Sequence, residues 1–393
     1  MLKGTAAGLG SLTIALGEFG SARAQSEKVN DPILVVFELS GGNDGLNTIV
    51  PFSDDAYYRL RPTIGIRQKH LLRLDDDWGF NSGLVGLKRL WRDGQLAIVH
   101  GCGYDRPSFS HFTSMAYWHT AAPNGGDEFG WFGRLADAMA PEPRTNFLIN
   151  IDTSQSLAVK SRLHTPVVFN DPERFKRNAL LQEKKILNRV DIRPRDNTTL
   201  EYLNAVALSA RESSALVRQA WASYETPIDY GIAPTQFKKV AACIAAGLPT
   251  QLYYVAFPNN AFDTHVQQND HHQRLLSYAS DAVHGFIRDM ERIGKANRVV
   301  VLIFSEFGRR ALENSNLGTD HGTANIMLAV GHPVSGGHYG RPPSLTELDD
   351  GDNLIHTTDF RQVYATTIDG WIKPGAAKTV LKGDFGILPI FGS

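Results

Sequence analysis

"ILVVFELSGGNDGLN", residues 33–47, sets an apolar run against a turn that holds two adjacent glycines, Asn43 and Asp44. A short run so nearly continuous in apolar character is expected of a strand buried on both faces, as in sheets covered by helices. Similar runs recur at 96–100 (LAIVH), 165–170 (TPVVFN), 251–257 (QLYYVAF), 298–307 (RVVVLIFSEF) and 324–331 (ANIMLAVG). Between them lie helix-like stretches at 84–94, 198–225, 234–247, 271–294 and 359–372. This alternation predicts an α/β protein with a mostly parallel central sheet, its right-handed crossovers placing helices on both faces.

Composition narrows the class. The 393 residues are 42% hydrophobic and 21% charged with a formal net charge of -1, which suits an ordinary globular chain. No basic run offers a nucleic-acid surface or a hold on anionic lipid. Residues 1–24 read as an export signal: an early Lys3, a small weakly apolar stretch, and Ala22-Arg23-Ala24 in an Ala-x-Ala cleavage pattern. "LKGTAAGLG" is similar to the continuation of a twin-arginine signal, and the periplasm or the extracellular space is the expected destination. No segment approaches the roughly 20 apolar residues a membrane helix needs. Cys102 and Cys243, without CxxC spacing, give no disulfide framework or zinc knuckle.

Residues 30–390 read as one domain, and the charged, Pro- and Gly-containing stretch at about 122–230 as an insertion over the sheet edge. Ligands of such sheets bind beyond the carboxyl ends of the strands. Asn43 and Asp44 follow the first strand there, Asp263 and His265 follow 251–257, Glu306 ends 298–307, and Asp320 and His321 precede 324–331. Asp, Glu and His are the ligands that Zn, Mg, Ca or Mn accept, and residues two apart in the extended "FDTH" share a side. Asp44 also has a plainer use, bracing its turn through side-chain to backbone hydrogen bonds. In "GCGYDRPSFSHF", Ser108 and Ser110 sit before a helix-like stretch, as nucleophile candidates or as N-caps. Arg309 and Arg310 could neutralise a phosphate or sulfate, or pair with Glu306. Neither a Gly-x-Ser-x-Gly elbow nor a nucleotide loop is present.

Together "VVFELSGGNDGLNTIVP", "SFSHF", "GWFGRL", "FDTH", "IFSEFGRR", "GTDHGTANIMLAVG" and "GGHYG" resemble the exported bacterial family called domain of unknown function 1501, over roughly residues 30–390. That family is similar to a distant branch of the alkaline phosphatase and sulfatase superfamily. The superfamily's enzymes act at a two-metal site, and the resemblance implies an alkaline phosphatase-like fold and an exported metal-dependent hydrolase of phosphate or sulfate esters with a remodelled metal site, acting on a small molecule or a polymer. It places Asp44 (or Asn43) and Glu306 at one metal, Asp263, His265 and His321 at the other, and Ser110 or Ser108 as nucleophile. It also implies that Arg309 or Arg310 steadies the anionic oxygens. Phe307 departs from the pattern, standing where the superfamily has a metal-binding His. The alternative is an exported binding or assembly protein on the same scaffold, without catalysis.

Overall fold

The computed structural model describes residues 31–175, 213–233 and 236–392. Residues 1–24, expected to be an export signal, therefore lie outside the described residues, as does part of the charged middle stretch.

Among the described residues twelve strands follow one another: β1 Ile33–Glu38, β2 Ile49–Val50, β3 Leu71–Arg73, β4 Gly79–Asn81, β5 Leu96–Gly103, β6 Leu148–Ile151, β7 Val167–Val168, β8 Leu252–Ala256, β9 Val299–Phe304, β10 Asn325–Val330, β11 Gly337–Tyr339 and β12 Thr358–Asp359. Nine form a central sheet in the order β11-β5-β10-β9-β1-β8-β6-β7, with β12 also on β5, while β2, β4 and β3 make a small second sheet. Pairing is parallel throughout the large sheet except at β10, which runs antiparallel to both β5 and β9.

Strand chemistry explains the layers. Successive side chains of a strand face opposite sides, so β1 sends Ile33, Val35 and Phe37 into one core and Leu34 and Val36 into the other. In β9, Val299, Val301 and Ile303 join the first core, and Val300, Leu302 and Phe304 the second. Helices Val85–Arg92, Gln236–Ala245 and Gln268–Arg292 cover the first face. The longest of these buries Leu275, Leu276, Ala279, Val283, Phe286, Ile287 and Met290, a 3-and-4 spacing that makes one apolar stripe. Helices His111–Thr120, Trp131–Met139 and Phe360–Thr367 cover the other face, where the Trp118 indole stacks between Phe304 and Phe360.

Two findings differ from the sequence expectation. The run at 324–331 is a central strand but is reversed, because β9 returns through it directly instead of through a crossover helix. Within 122–230, β6 and β7 extend the central sheet itself, and helix Trp131–Met139 covers the second core. Cys102 and Cys243 are buried free thiols.

Candidate metal centre

The carboxyl ends of β1, β5, β8 and β9 and the amino end of β10 share one edge, and their loops converge there. Gly41 and Gly42 have φ of 118° and 74°, and a Cβ on Gly41 would stand 2.5 Å from the Asp263 backbone N. Glycine alone lets the loop after β1 lie against the loop after β8. The Gly41 N–H donates to both Glu306 oxygens, at 2.9 and 3.1 Å.

Arg309 fastens the loops together. It is 1% exposed and donates from Nε to the Gly42 carbonyl at 2.6 Å, from Nη1 to Thr319 at 3.0 Å, and from Nη2 to Phe262 at 3.1 Å and Asp263 Oδ1 at 2.7 Å. Nη2 also meets the Gly41 carbonyl. These bonds commit the guanidinium to protein oxygens. The structure thus places Arg309 as an organiser of the site, away from the substrate-facing role the resemblance implied. Arg310 is half-buried, and its backbone binds Asp320 and Arg61.

Asp263, His321 and His111 each bring one ligand atom, all within 4.8 Å of one another. His111, the first residue of its helix, is held at Nδ1 by Glu306 Oε1 at 2.7 Å. Its Nε2 is buried without a hydrogen-bond partner among the described residues, 3.5 Å from Asp263 Oδ2. His321 Nδ1 lies 2.7 Å from the Phe109 carbonyl oxygen, which can only accept, so Nδ1 carries the hydrogen and Nε2 presents a lone pair. That lone pair is 3.1 Å from Asp263 Oδ1 and 2.9 Å from His265 Nε2. His265 Nε2 is itself 2.9 Å from Asp263 Oδ1, and its Nδ1 is 3.4 Å from Asp320 Oδ1.

Burial opposes the Asp263 charge, but the neighbouring His111 and His321 imidazoles and the Arg309 guanidinium hold its carboxyl well below the usual carboxylate range. Asp263 and then Glu306 push the His111 imidazole up to about 9 against the pull of burial. Side-chain exposure is 16% at His111 but 33% at Asp263 and 37% at His265, so the centre opens to solvent on the Asp263–His265 side.

Phe307 forms the wall. Its ring centroid lies 4.9 Å from that of His111 and 4.7 Å from that of His321, and it is 1% exposed. Glu306 is 0% exposed, and its oxygens take N–H groups of Gly41, the Ser305 hydroxyl and His111. It therefore backs a ligand instead of facing the cluster.

Asp44 is placed apart from the cluster. It is 1% exposed, N-caps Gly45–Thr48 through the Leu46 and Asn47 N–H groups, and pairs with Arg61 Nη1 at 2.6 Å and with Gln268. Donors saturate both oxygens, and burial is outweighed by the Arg61 charge, which keeps the carboxyl low. The turn-bracing use of Asp44 is the one observed. Asn43 is buried as well, its Oδ1 2.9 Å from His272 Nε2. Ser110 occupies the N-cap position before His111, exposed and without a capping bond, while Ser108 Oγ accepts the Ser110 N–H at 3.3 Å. His111 and the supporting role of Glu306 are what sequence reasoning missed. The signal was present in "SFSHF", where a histidine directly follows the serine singled out.

Residues 31–367 match the family described as "Protein of unknown function (DUF1501)". The chain belongs to that family. A search of curated proteins finds no match. Among solved structures, the DUF1501 chain is similar to the C-terminal periplasmic domain of EcEptC from Escherichia coli, at 11% identity, covering 88% of this chain and 83% of that one, with a TM-score of 0.39. The PsFucS1 sulfatase from Pseudoalteromonas sp. gives 9% identity over 91% and 70% with a TM-score of 0.39. The phosphonate monoester hydrolase of Agrobacterium radiobacter gives 9% over 86% and 73% with 0.36. Scores this low lend no weight to a shared fold or activity, and the functional reading below rests on the site alone.

Proposed function

We propose that this DUF1501 protein is a metal-dependent hydrolase of phosphate or sulfate esters with one divalent ion, held by His111, Asp263, His321 and His265. The observation that carries the reading is the convergence of imidazole Nε2 atoms on one carboxylate, each ring engaged from behind at Nδ1 by Glu306, Asp320 or the Phe109 carbonyl. Oxygen partners behind ligating imidazoles fix tautomer and aim, as in metal sites generally. A tetrahedral centre with bonds of about 2.0–2.2 Å sets its ligand atoms roughly 3.3–3.6 Å apart; His111 and His321 meet Asp263 at 3.5 and 3.1 Å, while His265 lies 2.9 Å from both Asp263 and His321 and would move apart from them to admit an ion. A nitrogen-rich donor set suits zinc or another first-row metal better than magnesium or calcium.

A bound ion would supply Lewis acidity to an ester oxygen. The chain supplies the rest. In this reading Ser110, exposed and uncapped beside His111, is the nucleophile: its Oγ bonds to phosphorus or sulfur and its hydroxyl proton passes to solvent, the bond to the leaving oxygen breaks and that oxygen takes up a proton, and water then cleaves the seryl ester to release phosphate or sulfate and restore Ser110. The positive end of helix His111–Thr120 favours the developing anion. Arg309 keeps Asp263 in place, and Phe307 keeps water from the back of the imidazoles. The open Asp263–His265 side is a substrate entrance, which a sealed structural metal site would not need.

The test is turnover of a panel of phosphate and sulfate esters by protein purified without chelator. Turnover abolished by Ser110→Ala, with metal retained, and by His321→Ala, with metal lost, supports the reading. Rates equal in wild type and His321→Ala would overturn it. An exported location for this activity is part of the same proposal.

A further inference from the structure

A second concavity of about 260 Å³ opens at the same sheet edge, beyond Arg309, between the end of β5, the small sheet and residues 342–345. Its volume is just below the range of ligand pockets, about 300–1,000 Å³, which suits a ligand of one ring. Trp78 and His100 line it, their rings 4.6 Å apart. His100 is 2% exposed and fixed by a chain of contacts: its Nε2 is 2.7 Å from His338 Nδ1, and His338 Nε2 is 3.1 Å from Asp75 Oδ2. Burial and the neighbouring imidazole pull His100 down to about 3, so it is a neutral wall. Pro342 and Pro343 contribute apolar surface, and Ser53, Asp54 and Asp77 contribute oxygens. The Ser53 hydroxyl donates to Asp77 at 2.9 Å, and the Ala56 N–H donates to Asp54 at 2.8 Å, which orients both carboxylates.

These groups select a chemistry. The one cation in the lining, Arg309, is committed to backbone carbonyls and Asp263, so two carboxylates disfavour an anionic ligand. Cages for quaternary ammonium groups use several aromatic faces around the charge, and this cavity has one indole. A pyranose ring has apolar C–H faces to lay on an indole and prolines, and hydroxyls to donate to carboxylates.

We propose that this cavity binds a neutral sugar ring, with Trp78 as its platform and Asp54 and Asp77 as acceptors for its hydroxyls. The site is distinct from the metal centre and shares only the Arg309 partition with it, so it stands whether or not the chain hydrolyses esters.

The test titrates the full chain, in EDTA, with glucose, galactose, mannose, N-acetylglucosamine and their short neutral oligomers, following saturation-transfer NMR. Saturable binding of at least one sugar is expected, weakened tenfold or more in Trp78→Ala and separately in Asp77→Asn, with unchanged circular dichroism. Absence of saturable binding by every sugar to the folded wild type would overturn the proposal. Saturation by tetramethylammonium in place of sugars would overturn it too, assigning the cavity to a cation.

Discussion

Glu306 Oε1 lies 2.7 Å from His111 Nδ1, so a carboxylate at the end of β9 aims an imidazole delivered by the segment after β5. Removing a carboxylate behind a metal-bound histidine commonly costs 10–100-fold in affinity. Glu306→Gln is expected to weaken zinc binding by about that factor, while His111→Ala abolishes it; titration against a competing chelator checks both. Equal affinity in wild type and Glu306→Gln would remove Glu306 from the site.

Phe307 walls the His111–Asp263–His321 cluster with a ring that offers no donor, so a single ion is expected there. Elemental analysis of the purified chain is expected to return about one equivalent of metal, lost in Asp263→Ala. Two equivalents would mean that another ligand set exists.

Protons compete for the same atoms. Without metal, His111 is held up to about 9 and is protonated at neutral pH, so an ion entering at Nε2 must displace that proton. Affinity should therefore rise with pH, about tenfold per unit for one proton released, and flatten above about pH 9. Calorimetry in buffers of different ionisation heat would count the proton.

Asp44 belongs to stability. Removing one partner of a buried pair costs about 3–5 kcal/mol, so Asp44→Ala should lower the urea midpoint sharply, in metal-free and metal-loaded protein alike. The carboxyl is depressed in the folded state, so its contribution is present above the usual carboxylate pKa and is lost as pH falls through the lower folded value. A midpoint unchanged in Asp44→Ala, but with metal lost, would restore Asp44 to the ligand set.

Gly41→Ala combines a positive φ with a collision against the Asp263 backbone, whereas Gly94, at φ 73°, has nothing within 4 Å of an added Cβ. Gly94→Ala isolates the conformational cost. Gly41→Ala should destabilise by more, above about 1 kcal/mol, and lower metal affinity by moving Asp263.

Much of this was legible in the sequence, and the misses have physical reasons. β1 and β9 stand out because both faces are buried and every residue but Glu38 is apolar. β10 stands out equally, but its direction does not, since an apolar run carries no polarity. "FLINI" of β6 was obscured by charged and Pro- and Gly-containing neighbours. Asp263, His265 and His321 were recognisable by residue type and by position at strand ends. Asp44 shares both features, and only its burial against Arg61, contributed from elsewhere, separates it from them. Glu306 and Arg309 were visible as polar residues, but their direction depends on contacts with Gly41, Gly42 and His111 that local pattern does not encode.

The antiparallel pairing of β9 with β10 means that the chain leaves the sheet edge after Phe304 and comes back to it at Asn325. The excursion between them carries Glu306, Phe307, Arg309 and His321, nearly half of the centre, on one continuous peptide. Because both ends of that peptide return to neighbouring strands, a single deletion closed by a tight turn would leave the ladder between them whole. One deletion would therefore remove Glu306, Phe307, Arg309 and His321 together, while His111, Asp263 and His265 stay on other segments and the buried Arg61 loses the Arg310 and Ala311 carbonyls.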